Sequence, residues 1–295
     1  MTLPREVVPG RFYMVTRRCT QRQFLLRPDR ETNNAFTYCL ADAAQRFGVE
    51  VVLPSAMSNH HHTIVFDRYG QLPLFTEHFH KMLAKCVNAL RGRWENLWAS
   101  EQVCVVRLVD ASDVMNKLVY AAINPVKDGL VDRVCHWPGV NGLSALLGQR
   151  ALRAQRPRHF FRELGPMPPE VTLSLTIPPE LGGAEHVRGE LRERVAAEEA
   201  RLAAERACIG TRVVGRRAIL RQSWCEKPRS REPRRNLRPR VAAKNQWARI
   251  EALGRNRDFV RAYREARARW LAGIPIPFPL GTFWLRRFAQ VPLSA

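Results

Sequence analysis

No stretch of the 295-residue sequence approaches the roughly 18 consecutive apolar residues that a membrane-spanning helix needs, so no spanning helix and no membrane partner are expected. The opening Met1-Thr2-Leu3-Pro4-Arg5-Glu6 lacks the apolar core of a secretory signal, so a cytoplasmic protein is expected. Paired cysteines are missing as well. The seven cysteines (Cys19, Cys39, Cys86, Cys104, Cys135, Cys208 and Cys225) are odd in number, scattered, and never spaced C-x-x-C. That excludes a disulfide framework or a zinc knuckle and fits a reducing compartment. Acidic side chains are scarce: 27 Asp and Glu stand against 48 Lys and Arg, for a net charge of +21. Hydrophobic residues make up 45% of the chain, enough for a buried core, so the charge is not that of a disordered tail. It calls for a polyanionic partner, nucleic acid before all others. The shortage of acids is uneven. Residues 1–150 hold 18 basic and 13 acidic side chains, whereas residues 151–295 hold 30 and 14.

What is present in the first half is an alternation of strand and helix signals. Arg11 to Thr16 reads as a strand, rich in aromatic and β-branched residues. Pro28-Asp29 opens a helix to Phe47, with Phe36, Leu40 and Ala44 spaced four apart, and Gly48 stops it. Strands are expected over Val49–Leu53 and His60–Phe66, a helix over Leu74–Trp94, and a strand over Val103–Val109. Ser112-Asp113 offers an N-cap for a further helix, which Pro125 should end near Asn124. The order β-α-β-β-α-β predicts an α+β, ferredoxin-like fold: an antiparallel sheet with helices on one face. This fold is expected within residues 1–150, followed over 151–295 by a basic, mostly helical extension. In that extension residues 153–183 read as a linker, Ala184–Cys208 and Trp247–Leu271 as helices, and Pro275–Pro279 as extended chain. Residues 212–240 hold eleven Lys and Arg against two Glu, a run expected to be poorly ordered unless it lies on a polyanion.

Two constellations carry chemistry. In Ser58-Asn59-His60-His61-His62-Thr63, strand periodicity sends His60 and His62 to one face and His61 to the other. Two imidazoles at that spacing can chelate a divalent metal, though three histidines can also simply mark a wet strand end. In Tyr120-Ala121-Ala122-Ile123-Asn124-Pro125-Val126-Lys127-Asp128-Gly129-Leu130, Tyr120 and Asn124 share a helix face. A tyrosine hydroxyl, with a pKa near 10, attacks only if its anion is stabilised or its target activated; a half-buried helix tyrosine is the plainer reading.

Taken together, and in this order, these segments resemble one family: the HUH single-tyrosine transposases, and among them the REP-associated tyrosine transposases of bacteria. Phe12-Tyr13-Met14-Val15-Thr16-Arg17-Arg18 looks like the family's opening strand. Asn59-His60-His61-His62 is similar to its Asn-His-hydrophobic-His motif, with His61 where a bulky apolar residue is usual and Ser58 where Pro is frequent. Tyr120 to Val131 resembles its nucleophile helix with the Asn-Pro-Val-basic-x-Gly-Leu ending. The likeness spans about residues 10–140. It implies that His60, His62 and Asn124 hold Mg²⁺ or Mn²⁺, and that Tyr120 attacks the scissile phosphate of single-stranded, hairpin-forming DNA. The product would be a 5′-phosphotyrosine link and a free 3′-hydroxyl, rejoined later without ATP.

Basic groups that suit a nucleic-acid contact are Arg17 and Arg18 at the end of the first strand, and Lys81, Lys85, Arg91 and Arg93 along the second helix near Trp94 and Trp98. Lys127 follows the nucleophile helix, and Arg216, Arg217 and Arg221 belong to the C-terminal basic run, with Trp224 as a stacking or packing residue. The aromatic tail from Phe278 to Phe288 reads as apolar docking onto the main domain. A catalytically silent DNA- or RNA-binding regulator on the same scaffold is the alternative. A zinc hydrolase is disfavoured by the absence of H-E-x-x-H, and a replication or conjugative nickase by the Asn-Pro-Val-Lys ending. Whether the protein is a monomer or a homodimer stays open.

Overall fold

Strand and helix alternate through the first half of the chain, close to the hydrophobic pattern. The computed structural model describes residues 4–230 and 239–294. Its leading elements are β1 (Arg11–Arg18), α1 (Arg30–Phe47), β2 (Glu50–Ala56), β3 (His60–Asp67), α2 (Leu72–Arg91), β4 (Cys104–Leu108) and α3 (Ala111–Lys127). There follow α4 (Leu143–Leu147), β5 (Leu152–Gln155), β6 (Glu170–Leu173), α5 (Ala184–Cys208), α6 (Arg216–Arg221), β7 (Val241–Ala242), α7 (Gln246–Leu271) and α8 (Trp284–Ala289). The protein is thus a mixed α+β chain around a five-stranded sheet in the order β2-β3-β1-β4-β7. The first four strands are antiparallel to their neighbours, and β7 pairs parallel to β4.

Strand periodicity divides the sheet between two cores. Tyr13, Val15 and Val65 face α1 and α2, whose Phe36, Leu40, Phe75, Phe79 and Leu83 are fully or almost fully buried. Phe12, Met14, Ile64, Phe66 and Val106 point the other way, onto Leu118, Ala122 and Ile123 of α3. Helices therefore cover both faces, not one as expected. The second face is completed from the far half of the chain: Val187, Leu191, Val195 and Leu202 of α5 and Ile219 of α6 join the α3 core.

Three further expectations change. Residues 153–183 are not merely a linker, because β5 and β6 form an antiparallel ribbon that buries Ala154, Val171 and Leu173 against the α1 side. Its strands are four residues each, too short to show a period among the surrounding Pro and Arg. The N-cap of α3 is Asp110, in a capping box with Asp113, so the helix starts before the Ser112-Asp113 pair. Pro125 lies inside α3 rather than ending it. A proline there deprives the Ala121 carbonyl of its usual donor, and the Asn141 side chain donates to the neighbouring Ala122 carbonyl at 3.0 Å. The helix closes one turn later. Gly129, at φ +66°, lets Leu130 N–H donate back to the Pro125 carbonyl and Gly129 N–H to that of Val126, a Schellman closure that favours glycine. Gly129→Ala should therefore lower stability by about 1 kcal/mol in denaturant titration, although the added methyl meets nothing within 4 Å.

The acid-poor run over 212–240 gains order from this packing as far as Ser230: α6 is helical, and Val214 and Gly215 donate to the carbonyls of Gly129 and Leu130. Its residues 231–238 lie outside the described residues. The tail packs onto α7 and not, as expected, onto the main domain: Phe278 is fully buried beside Ala266, Tyr263 and Val291, while Leu280, Trp284 and Phe288 are exposed. Among the described residues no helix is long and apolar enough to cross a membrane, and all seven cysteines are free.

Candidate active site

Cross-strand register places the histidines. On β3, His62 pairs with Thr16 and His60 with Arg18 of β1, while His61 pairs with Arg17. His60 and His62 thus fall on the face covered by α3, at the polar end where Phe12, Met14, Ile64 and Phe66 give out. Their ring centroids are 4.9 Å apart. On α3, Tyr120 and Asn124 stand one turn apart and look back onto the pair. The Tyr120 ring centroid is 5.2 Å from that of His62, and the Asn124 side-chain amide is 3.4 Å from His60 Nε2. The four residues named from the sequence are therefore gathered in one place.

The surrounding hydrogen bonds fix which nitrogens are free. Asn59 Nδ2 donates to the Arg22 carbonyl at 3.2 Å, which turns Asn59 Oδ1 toward His60 Nδ1 at 2.7 Å. A carbonyl oxygen only accepts, so the His60 proton sits on Nδ1 and the lone pair on Nε2. For His62, Thr16 Oγ1 meets Nδ1 at 2.7 Å, and with Oγ1 accepting, the Nε2 lone pair is free. That Nε2 is buried and has no partner among the described residues. Both imidazoles are held neutral. Burial, with the Arg18 guanidinium beside it, pushes His60 down to about 4, and burial and neighbouring His60 push His62 well below the usual histidine range. Neutral rings with oriented Nδ1–H groups are the form in which histidine ligates metal.

Together with the Asn124 amide, this is a donor set that fits one divalent cation: two imidazole lone pairs, one of them orphaned, and an amide oxygen within reach after a side-chain flip. Among the described residues no group of three or more His, Cys, Asp or Glu is gathered for a metal, so no zinc-type cluster competes with it. Asn59 and Thr16 are the supporting residues that sequence reasoning left without a role. Their only signal is the adjacency of Asn59 to His60 and the register partner of His62.

His61 belongs elsewhere. It is fully buried on the α1–α2 face, with Nε2 2.9 Å from His80 Nε2 and Nδ1 3.0 Å from Thr63 Oγ1. It packs among Phe36, Phe79 and Trp98. His61→Leu should leave the geometry of the His60–His62 pair untouched. Stability should fall by about 1–3 kcal/mol in denaturant titration, because His80 Nε2 loses its partner inside the core.

Tyr120 is half-buried, and its hydroxyl makes no hydrogen bond among the described residues. Burial, and the nearby Asp128 carboxylate, raise its pKa above that of a free tyrosine. Two ammonium groups lie near the ring: Lys117 Nζ is 5.4 Å and Lys127 Nζ 5.2 Å from its centroid. Tyr120 opens onto a cavity of about 780 Å³ lined also by His60, His62, Arg17, Arg18, Asp128 and Gln222.

The basic residues named from the sequence divide by position. Arg17 and Arg18 line the cavity onto which Tyr120 opens, and Lys127 stands over Tyr120. Exposed Arg216, Arg217 and Arg221 line an open cleft that shares Gln222 with that cavity. Lys81 and Lys85 are exposed on α2 but border neither. Arg91 is not available for nucleic acid: its guanidinium is held by Asp29 at 2.6 Å and Thr32 Oγ1 at 2.8 Å, tying α2 to the start of α1. Arg93 stacks over Trp224 at 5.9 Å, and Trp224 packs against the α1–α2 core, so both anchor the chain there.

No family model matches the chain, and no curated protein matches it. Among solved structures, the structure of a REP-associated tyrosine transposase bound to a REP hairpin is similar over 56% of this chain and 99% of its own, at 16% identity and a TM-score of 0.43. A candidate transposase from Deinococcus radiodurans is similar over 40% of this chain and 93% of its own, at 18% identity and a TM-score of 0.30.

Proposed function

We propose that the protein is a metal-dependent strand-transferase that cleaves and rejoins single-stranded DNA near hairpins, with Tyr120 as nucleophile. The observation that carries this reading is the meeting of Tyr120 and Asn124 on α3 with the two neutral, Nδ1-anchored histidines of β3. The residue types match the reaction. A phosphodiester carries a full negative charge, and the groups converging on the cavity are cationic or neutral apart from Glu101 and Asp128.

In this reading Arg17 and Arg18 hold the strand by its phosphates, and Tyr120 Oη attacks the scissile phosphorus. The bond to the 3′-oxygen breaks, leaving a free 3′-hydroxyl and the 5′-phosphate on Tyr120. The amine groups of Lys117 and Lys127 stabilise negative charge on the ring as the hydroxyl proton departs. His60, His62 and Asn124 would hold Mg²⁺ or Mn²⁺, and the ion would supply Lewis-acid polarisation of the phosphate. Mixed nitrogen and oxygen donors suit Mn²⁺ at least as well as Mg²⁺. Arg216, Arg217 and Arg221, along the cleft that opens from the same cavity, would continue the backbone contact.

We assign the chemistry to residues 1–150, whose strands β2-β3-β1-β4 stand in the order of a ferredoxin-like sheet, and nucleic-acid contact chiefly to residues 151–295. The test is to incubate the full chain with labelled hairpin-forming single-stranded DNA and Mn²⁺ or Mg²⁺, then to denature. A covalent DNA–protein adduct that needs the metal is expected. Tight binding without adduct over a broad set of hairpins would overturn the proposal in favour of a silent nucleic-acid binder.

A further inference from the structure

A second cavity, of about 810 Å³, lies beside the first and shares Arg17 and Gln102 with it. Its volume is that of an ordinary ligand site, yet its walls come from parts of the chain far apart in sequence. One wall is α2 with the N-terminal segment at Arg5, and the other is α7 with the docked tail. Most of the second wall lies beyond residues 10–140, where the motifs of the proposed reaction end.

Its chemistry is unusual for an internal groove. Five arginines, Arg5, Arg17, Arg240, Arg264 and Arg267, line it against one carboxylate, Glu77. None of the five forms an ion pair among the described residues. Burial lowers the pKa of Arg5, Arg17 and Arg240, and the charge of Arg240 lowers Arg5 further. Arg17 lies over the Trp98 ring at 5.3 Å and Arg240 donates to the Pro4 carbonyl at 3.2 Å, but five guanidinium groups facing one carboxylate without an ion pair favour an anion.

Aromatic rings line the same space: Phe259, Tyr263, Phe283 and Trp284. At the edge, Trp284 and Phe288 stack almost parallel, 5.7 Å between centroids and 7° between planes, and both are exposed, Phe288 to 74%. Open aromatic faces among arginines are what single-stranded nucleic acid requires. Bases stack on the rings and phosphates pair with the guanidiniums, without dependence on sequence. An inorganic anion would need no rings, and an apolar ligand would need no arginines.

We propose that this groove binds a run of single-stranded nucleotides flanking the scissile site, which pass between Arg17 and Gln102 from the catalytic cavity. Arg264, Arg267 and Trp284 are its main contacts. The path rests on the proposed reaction at Tyr120, but strand binding by the groove does not need that reaction to occur. The docked tail holds Trp284 in place. Gly281 has φ +94°, and a Cβ there would come within 2.8 Å of Glu6 Cγ, while its carbonyl accepts from Val7 N–H at 3.0 Å.

The test measures anisotropy of fluorescein-labelled oligothymidylate with the full chain over a range of salt, for wild type, Arg264→Ala/Arg267→Ala and Trp284→Ala, each checked for unchanged melting. The double variant should bind about tenfold or more weakly, and the slope of log affinity on log salt should fall by about 0.7 for each phosphate that no longer meets a guanidinium. Trp284→Ala should weaken binding about fivefold or more at an unchanged slope. Wild-type affinity and slope in both variants would overturn the proposal, as would competition by polyglutamate as effective as that by oligothymidylate. Hairpin cleavage is scored alongside. Weakened binding in the variants with no cleavage by wild type would leave the groove standing and remove the reaction; unaltered binding with active cleavage would do the reverse.

Discussion

Tyr120→Phe is expected to abolish adduct formation, lowering cleavage by about 10⁴-fold or more, as the loss of an essential nucleophile does. The substitution removes one oxygen and leaves the ring in its place against His62 and near the ammonium groups of Lys117 and Lys127. Because the hydroxyl has no hydrogen-bond partner among the described residues, no buried group is stranded by its removal. Stability should therefore change by less than about 0.5 kcal/mol, and hairpin binding should persist. The readouts are separate: a denaturing gel for the adduct, thermal unfolding for the fold, and anisotropy for binding. Residual adduct at the wild-type rate would place the nucleophile elsewhere.

His62→Ala is the second large effect. The buried and unpartnered Nε2 of His62 is the atom that most plainly awaits a ligand, and Lewis-acid stabilisation of a phosphoryl transition state is worth several kcal/mol. At 1.36 kcal/mol for each factor of ten, the variant should cleave about 10²–10⁴-fold more slowly. It should also bind Mn²⁺ more weakly in calorimetric titration, a readout that does not depend on turnover. His60→Ala should behave alike. A chelator should stop cleavage by the wild type while leaving hairpin binding in place. Metal affinity and cleavage undiminished in both histidine variants would show that the pair has been wrongly chosen.

Much of the site could be read from the chain because its chemistry follows local periodicity. The two-residue repeat of a strand puts His60 and His62 together and excludes His61, and the helical repeat puts Tyr120 above Asn124; both hold in the fold. Ala184–Cys208 was likewise legible, since a long run of Glu, Arg and Ala has one obvious state. What escaped depends on partners distant in sequence. Thr16 supports His62 only through the register of β1 on β3. Arg91 is removed from the nucleic-acid surface by Asp29, 62 residues earlier. The β5–β6 ribbon gains its apolar contacts from the α1 side, and β7 joins the sheet in parallel from the far half of the chain. Pro125 misled for a physical reason: it costs one bond, at the Ala121 carbonyl, and the helix runs on to its closure at Gly129.

The excess of positive charge also takes on a shape. Around Tyr120 it is carried by Arg17, Arg18 and Arg22 of the cavity and by Lys117 and Lys127 beside the ring. Beyond them it divides between the α6 cleft, reached through Gln222, and the α7 groove, reached through Arg17 and Gln102.

The most direct measurement is proteolysis and mass spectrometry of the DNA–protein adduct formed with hairpin DNA and Mn²⁺. The expected result is a single modified peptide, spanning Tyr120 and carrying a 5′-linked nucleotide on that residue. A nucleotide on any other side chain, or no covalent product from a folded, hairpin-binding and metal-loaded protein, would contradict the account.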